Sequence, residues 1–286
     1  MSVQFMAVQL LNGLSFAALL FFLASGFTLI FGLMRIVNLA HGAYYLVGGY
    51  VALTTIIATG NFWIGLLAGP AAIALIGLFT ERVLLRPIRG RELPEVLLTV
   101  GVAFVFADMA LELWGGDPRS ITPPAFLQGG MELGVVTYPR YRIFVMGCAL
   151  LVGVTLFVLH NRTRYGAIVR AGVDDREMIG ALGIDIDRVF AGVFIFGSLL
   201  AGLAGVIGGG LLSLLPGADT EILLYSLAVV IIGGLGSLPG AVIGSLIVGL
   251  ADTFGRALAP ELSYFTLFAP MALILVLRPR GLLGGR

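Results

Sequence analysis

Long apolar runs alternate with short polar ones along the chain, and the runs have the length of membrane crossings. Phe5 to Met34 carries no charge over 30 residues. One crossing needs about 20, so this run predicts a tilted helix or a break near Ser25-Gly26. Arg35 interrupts it. Ile36 to Thr80 is again free of formal charge and is long enough for two crossings, with a turn at Thr59-Gly60-Asn61. A polar loop from Glu81 to Glu95 carries Arg82, Arg86, Arg89 and Arg91. Val96 to Trp114 is the next crossing. A Pro- and Gly-rich loop spans Gly115 to Arg142, and Ile143 to Leu159 crosses once more. A charged stretch follows, and then a long apolar helix from Val189 to Leu215. Ile222 to Ala251 has no charge, but GGLGSLPG at 233–240 breaks it. Two short pieces flank the break, the first short for a full span. Non-helical backbone at such a place is tolerated only against protein or a water-filled cavity. Leu262 to Leu277 is the last crossing, and Arg278, Arg280 and Arg286 close the chain.

The arginines predict an orientation, because basic loops stay on the cytoplasmic side. The basic regions are Arg82–Arg91, Arg162–Arg188 and the C-terminal tail. With the broken segment counted twice there are about nine crossings, and all three basic regions fall on one side. The N-terminus is then outside and the C-terminus inside. Counted once, the segment puts the arginine tail outside. The expected fold is an all-α integral membrane protein, a polytopic bundle of about nine segments (8–10) that includes a broken or short helix pair. It forms a single domain over 1–286.

Composition narrows the function. Of 286 residues, 59% are hydrophobic and 12% charged, where a soluble domain is nearer a quarter charged. Mean hydropathy is +1.05. The net charge of +1 implies no nucleic-acid surface. Cys148 is the single cysteine, so an intrachain disulfide is excluded and a Cys-based metal site is not expected. The absence of a basic residue before Arg35 argues against a cleaved signal peptide. The 41 glycines suit closely packed helices in lipid.

The charged stretch 161–188 reads NRTRYGAIVRAGVDDREMIGALGIDIDR. Inside it a short helix is well marked. Asp174 is a good N-cap, and Glu177 three positions later completes a capping box. Gly183 stands where a left-handed C′ residue is wanted. Met178, Ile179 and Leu182 fall on one face. This apolar face either folds back on the membrane end of the protein or docks into a cytoplasmic partner.

Residues that could carry chemistry are few. The glycines of GGLGSLPG lack a Walker-type lysine, so this is no P-loop, and no cofactor is expected. Asp108 and Glu112 lie four apart in one span, where an acid is a functional suspect by default. Glu112 sits beside Trp114 and reads as a solvated interface residue. Asp108 either lines a polar path or pairs within the bundle. Asn38 and His41, with Tyr44 and Tyr45 one turn on, could hydrogen-bond a small polar substrate or simply cap the helix. RIVNLAHGAYYLVGGYVAL and GGLGSLPGAVIGSLIVGL echo each other as Gly-punctuated segments, and paired broken segments often mark a transport pathway. That reading adds Gly233, Gly234, Gly236 and Ser237 to the pathway candidates, and small-residue packing is the alternative.

At these residues the chain resembles a known family. GLMRIVNLAHGAYYLVGGYVA resembles the signature of the H-type permease subunit of branched-chain amino-acid ABC importers. RYGAIVRAGVDDREMIGALGIDIDRVF resembles that family's cytoplasmic coupling loop, and IIGGLGSLPGAVIGSLIVGLAD with LRPRGLLGGR its C-terminal third. With ERVLLRPIRGR, the resemblance covers nearly the whole chain in order. It implies that a helix at Asp175–Leu182 docks in a groove of an ATP-binding subunit, with Gly183, Arg170 and Ala171 matching the family pattern. Ile179 stands where many relatives have alanine, and Asp108 where an uncharged amide is more usual. It also implies an M-type permease partner, two ATPases and a periplasmic solute-binding protein, in a bacterial inner membrane. Relatives also carry urea, short amides or aromatic acids. An ion-coupled carrier would need acids in its spans, for which only Asp108 and Glu112 are placed. A membrane enzyme would need a catalytic cluster, and none is visible.

Overall fold

The computed structural model describes residues 2–134, 136–174 and 176–284, without the side chains of 173–177, 263 and 264. The chain is a bundle of helices. They are α1 (Val3–Met34), α2 (His41–Thr59), α3 (Phe62–Phe79), α4 (Glu92–Trp114), α5 (Arg140–Arg162), α6 (Arg164–Asp174), α7 (Arg176–Ala181), α8 (Ile186–Leu211), α9 (Ala218–Gly233), α10 (Leu238–Leu258) and α11 (Ser263–Leu277). The 115–139 loop folds into a small antiparallel hairpin, β1 (Gly130–Glu132) against β2 (Thr137–Pro139). Among the described residues, seven helices are long and apolar enough to cross a membrane. At 16 and 15 residues, α9 and α11 fall short of that length.

α1 is one unbroken helix of 32 residues, about 48 Å long, so no break occurs at Ser25-Gly26. The Ser25 hydroxyl satisfies itself on the Phe22 carbonyl at 2.9 Å, and Gly26 is where the α8 backbone presses closest. A side-chain carbon there would collide with the Gly197 carbonyl oxygen 2.5 Å away, and one at Gly197 with the Gly26 carbonyl. α1 and α8 form the buried axis, with α10 against α1 and both α2 and α3 against α8. Where helices cannot gain by excluding water from one another, small residues that let backbones meet supply the packing. α2 meets α8 in the same way, since a side chain at Gly205 would run into the Tyr45 carbonyl. α4, α5 and α11 lie outside and expose Phe104, Leu150 and Val276 among many apolar side chains.

The turn at 59–61 is where it was expected. Gly60 is left-handed (φ 67°) and the Asn61 side chain caps α3. The polar loop from Glu81 is not a loop at its start. A π-helical turn at Thr80–Leu85 and a 3-10 turn at Arg86–Ile88 prolong α3, and Glu81 is buried. The GGLGSLPG break lies between α9 and α10 as expected, with Gly234 and Gly236 both at positive φ.

Contacts define two ends. At the first, Gly236 of the break touches Gly32 of α1, and the tail amides of Leu282 and Leu283 donate to the Ile232 and Gly233 carbonyls at 2.9 Å each. α6 joins this end, with Gly172 beside Leu33. At the second end, Trp114 donates to Thr54 at 2.8 Å, Arg119 bridges Leu214, and Tyr138 and Arg142 both donate to Asn12. Burial raises the Tyr138 pKa, which keeps that hydroxyl protonated as a donor.

α2 does not start at the first end. His41 Nε2 meets the Leu23 carbonyl at 2.9 Å, eleven residues before the end of α1, so α2 begins about 16 Å inside the bundle. The non-helical residues 35–40 carry the chain back that far. α9 begins at the same depth, for the Asp219 carbonyl abuts Gly42.

Candidate functional site

The first candidate region is the α6–α7 loop. α7 covers Arg176–Ala181 and is closed by a two-bond C-terminal cap. The Gly183 amide donates to the Gly180 carbonyl at 3.0 Å and the Ile184 amide to the Ile179 carbonyl at 3.3 Å, with Gly183 at φ 80°. This is the Schellman pattern that Gly183 promised. Asp174 ends α6 on the backbone; the side chains of Asp174 and Glu177, on which the capping box rests, and the whole of Asp175 lie outside the described residues. The three apolar side chains do not share one fate. Ile179 is 4% exposed, while Met178 and Leu182 are 58% and 69% exposed. Ile179 therefore anchors the helix to its own chain, and Met178 and Leu182 are what it presents outward. Arg170 is half-buried, with Nη1 lacking a partner among the described residues.

Behind this loop lies an ionic clasp that links α8 to the end of α3. Arg89 donates to Glu81 through Nη2 and to Asp187 through Nη1. Arg86 reaches the second Asp187 oxygen at 2.5 Å, and the Arg89 guanidinium stacks over Phe190 at 4.5 Å. Asp185 caps α8 by accepting from the Asp187 and Arg188 amides. The clasp thus ties the start of α8 to the α3–α4 connection.

The signature residues are mostly internal fasteners. Asn38 Oδ1 accepts from the Ala40 amide at 3.2 Å. Leu39 donates to Thr99 at 3.2 Å. Tyr44 donates to Thr80 at 2.9 Å. Asn38, His41 and Tyr44 are fully buried. A chain that runs extended inside the bundle must satisfy its backbone there, and Asn38 and Thr99 do part of it, at the Ala40 and Leu39 amides. Gly233, Gly234, Gly236 and Ser237 are likewise taken up by packing at the first end. Gly233 meets Gly240, Gly234 meets Gly284, and Ser237 caps α10 on Gly240 at 3.1 Å. Asp108 is exposed on the outer face of α4, as is Glu112.

Tyr45 is the exception. It lines a cavity of about 610 Å³ that opens at the second end between α1, α2, α5, α9 and α10. This cavity gathers Asn12, Arg142, Glu221, Tyr225, Asp252 and Arg256. Asp252 is buried at 5% exposure. It accepts from Tyr225 at 2.8 Å and from Arg256 Nε at 2.9 and 3.0 Å. The run that ends at Ala251 in the hydrophobic pattern stops one residue before Asp252. The signal available was the i, i+4 spacing of Asp252 and Arg256, which puts an acid and a base on one helix face.

A polytopic bundle with small-residue packing, a charged loop carrying an outward apolar helix face, and a polar cavity at the opposite end defines a membrane permease. The chain belongs to the family of permease components of branched-chain amino acid transport systems, whose model matches residues 9–277. It is 31% identical to the high-affinity branched-chain amino acid transport permease BraD of Pseudomonas aeruginosa, over 96% of this chain and 95% of that one. It is also 31% identical to LivH of Escherichia coli K12, over 99% of this chain and 98% of that one. Among solved structures, an inward-facing ABC transporter of the proposed metal-chelate type superposes with a TM-score of 0.50 at 20% identity, over 94% of this chain and 84% of that chain. That likeness speaks for the fold alone.

Proposed function

We propose that this chain is the membrane subunit of an ATP-driven importer of branched-chain or other hydrophobic amino acids. The observation that carries the reading is the outward pair Met178 and Leu182 on α7, in a chain that matches the permease family over almost its full length. It forms a single domain over 1–286, with 161–188 as the coupling loop. We assign Arg170, Asp174, Asp175, Glu177 and Gly183 to the ATPase-coupling set; Met178 and Leu182 enter a groove of an ATP-binding subunit, and Ile179, buried at 4% exposure, holds the helix to the bundle. Closure of the ATPases pushes α7, and the push passes through α8 and the Arg89 clasp. The bundle then alternates between outward and inward access.

Nine crossings fit this reading, with α9 and α11 completing the seven long helices. α9 needs fewer residues than a full span because it starts about half-way in. The arginines at the first end support a cytoplasmic position for it, with the N-terminus outside and the C-terminus inside a bacterial inner membrane. The partners are an M-type permease, two ATPases and a periplasmic solute-binding protein. ATP hydrolysis belongs to the ATPases. Asp108, on the outward face of α4, is available to line a route between two permeases.

Leucine uptake tests this in proteoliposomes that contain the chain and its co-expressed partners, with and without ATP in the ATPase compartment. Strict ATP dependence without competition by urea is the expected result. Transport of urea but not leucine would keep the machine and change the substrate. Uptake by this chain alone on an ion gradient would overturn the reading.

A further inference from the structure

The cavity at the second end has a charge pattern that packing does not require. Arg142 donates through Nη1 to Asn12 Oδ1 at 3.1 Å, and Tyr138 donates to the same oxygen at 3.2 Å. Among the described residues no carboxylate lies within ion-pair distance of Arg142. This guanidinium is half-buried near the start of α5, and the side-chain partner it reaches, Asn12, is neutral. A carboxylate arriving in the cavity would complete it, and a guanidinium takes a carboxylate in a two-bond fork. Acids line the same cavity. Glu221 is held only loosely, 3.8 Å from Arg256 and 65% exposed. Asp252 has its oxygens directed by Arg256 and Tyr225, and a carboxylate offers about four acceptor sites. Phe16, Leu211, Leu215 and Ile222 add apolar surface to the same cavity. The volume of about 610 Å³ lies in the range of small-molecule sites.

We propose that this cavity, within a single permease subunit, is a binding site for a free α-amino acid as its zwitterion. The carboxylate lies on Arg142, the ammonium faces Glu221 and Asp252, and the aliphatic side chain rests on Leu211, Leu215 and Ile222. Two cations and two anions line the cavity, so a zwitterion enters without leaving net charge behind. An amide or a simple carboxylic acid satisfies only one wall. The proposal rests on the amino-acid reading above and adds that this subunit itself selects for both charged groups.

The test uses the assembled complex of both permeases and both ATPases, without solute-binding protein. Binding of radiolabelled L-leucine is measured, with leucinamide and 4-methylpentanoate as competitors. Arg142→Met should weaken leucine and 4-methylpentanoate at least tenfold and leave leucinamide unchanged. Glu221→Gln should weaken leucine and leucinamide and leave 4-methylpentanoate unchanged. A variant that merely damaged the fold would weaken all three alike, and Glu221, being exposed, can be changed without disturbing the core. Leucine binding equal to wild type in both variants, uniform weakening in both, or wild-type uptake without detectable binding, each overturns the site. Wild-type leucine uptake, measured in parallel with the binding protein present, separates the two ideas. Failure of that uptake defeats the amino-acid reading itself.

Discussion

Arg89→Met removes the cation that faces Glu81, whose side chain is 1% exposed. The carboxylate is then left buried without its partner, and breaking a buried pair from one side costs about 3–5 kcal/mol. The stack of Arg89 on Phe190 adds about 0.5–1 kcal/mol. Asp187 loses less, because it is 36% exposed and keeps Arg86. For a chain of this size each kcal/mol moves the melting point by about 2–4 °C, so the pair alone predicts a drop of roughly 6–20 °C. Glu81→Met added to Arg89→Met removes the stranded charge and should return most of the loss, since replacing both partners by apolar groups is often neutral. The assay is thermal unfolding of the detergent-solubilised protein, followed by size-exclusion chromatography, in a double-mutant cycle. An Arg89→Met protein that melts with wild type, or a double variant no more stable than the single one, would show that Glu81 does not need Arg89. The mechanical link between α8 and α3 would then lose its support.

Leu182→Glu should leave the fold intact and lower co-purification of the ATPase at least tenfold, about 1.4 kcal/mol. Ile179→Asp places a charge at a buried site and should destabilise the loop itself by about 3 kcal/mol or more; comparing melting with pull-down separates the two. Gly205→Ala drives a methyl group into the Tyr45 carbonyl and should cost about 1–3 kcal/mol, read as a lower melting point. A cysteine inserted after Gly284, in a background lacking Cys148, should react with a membrane-impermeant maleimide only from the cytoplasmic side, and labelling from the periplasm would require a different number of crossings.

Much of the bundle was legible because turn chemistry is local. Gly60 and Asn61 stop and restart a helix, Gly183 closes one, and the glycines after Gly233 prevent one from continuing. The short helix before Gly183 was legible for the same reason, but which of its apolar residues faced the protein was not. Met178, Ile179 and Leu182 lie close together on the helix surface, and only the position of α7 against the bundle turned Ile179 inward. Glu81 looked like the start of a polar loop because charge marked it as exposed; Arg89, eight residues later, made burial possible.

The sequence by itself determined the membrane class, the turns at 59–61 and 233–240, and the family, because hydrophobic run length, glycine punctuation and motif order need no knowledge of what packs where. The tertiary structure decided depth and company. It set α2 to begin in the middle of the bundle, and so made Asn38 and His41 fasteners of an extended segment. It also brought Arg142 from α5, Glu221 from α9 and Asp252 from α10 to one cavity. These residues are tens of positions apart, and no pattern along the chain records that they meet, because their proximity is created by helix packing alone.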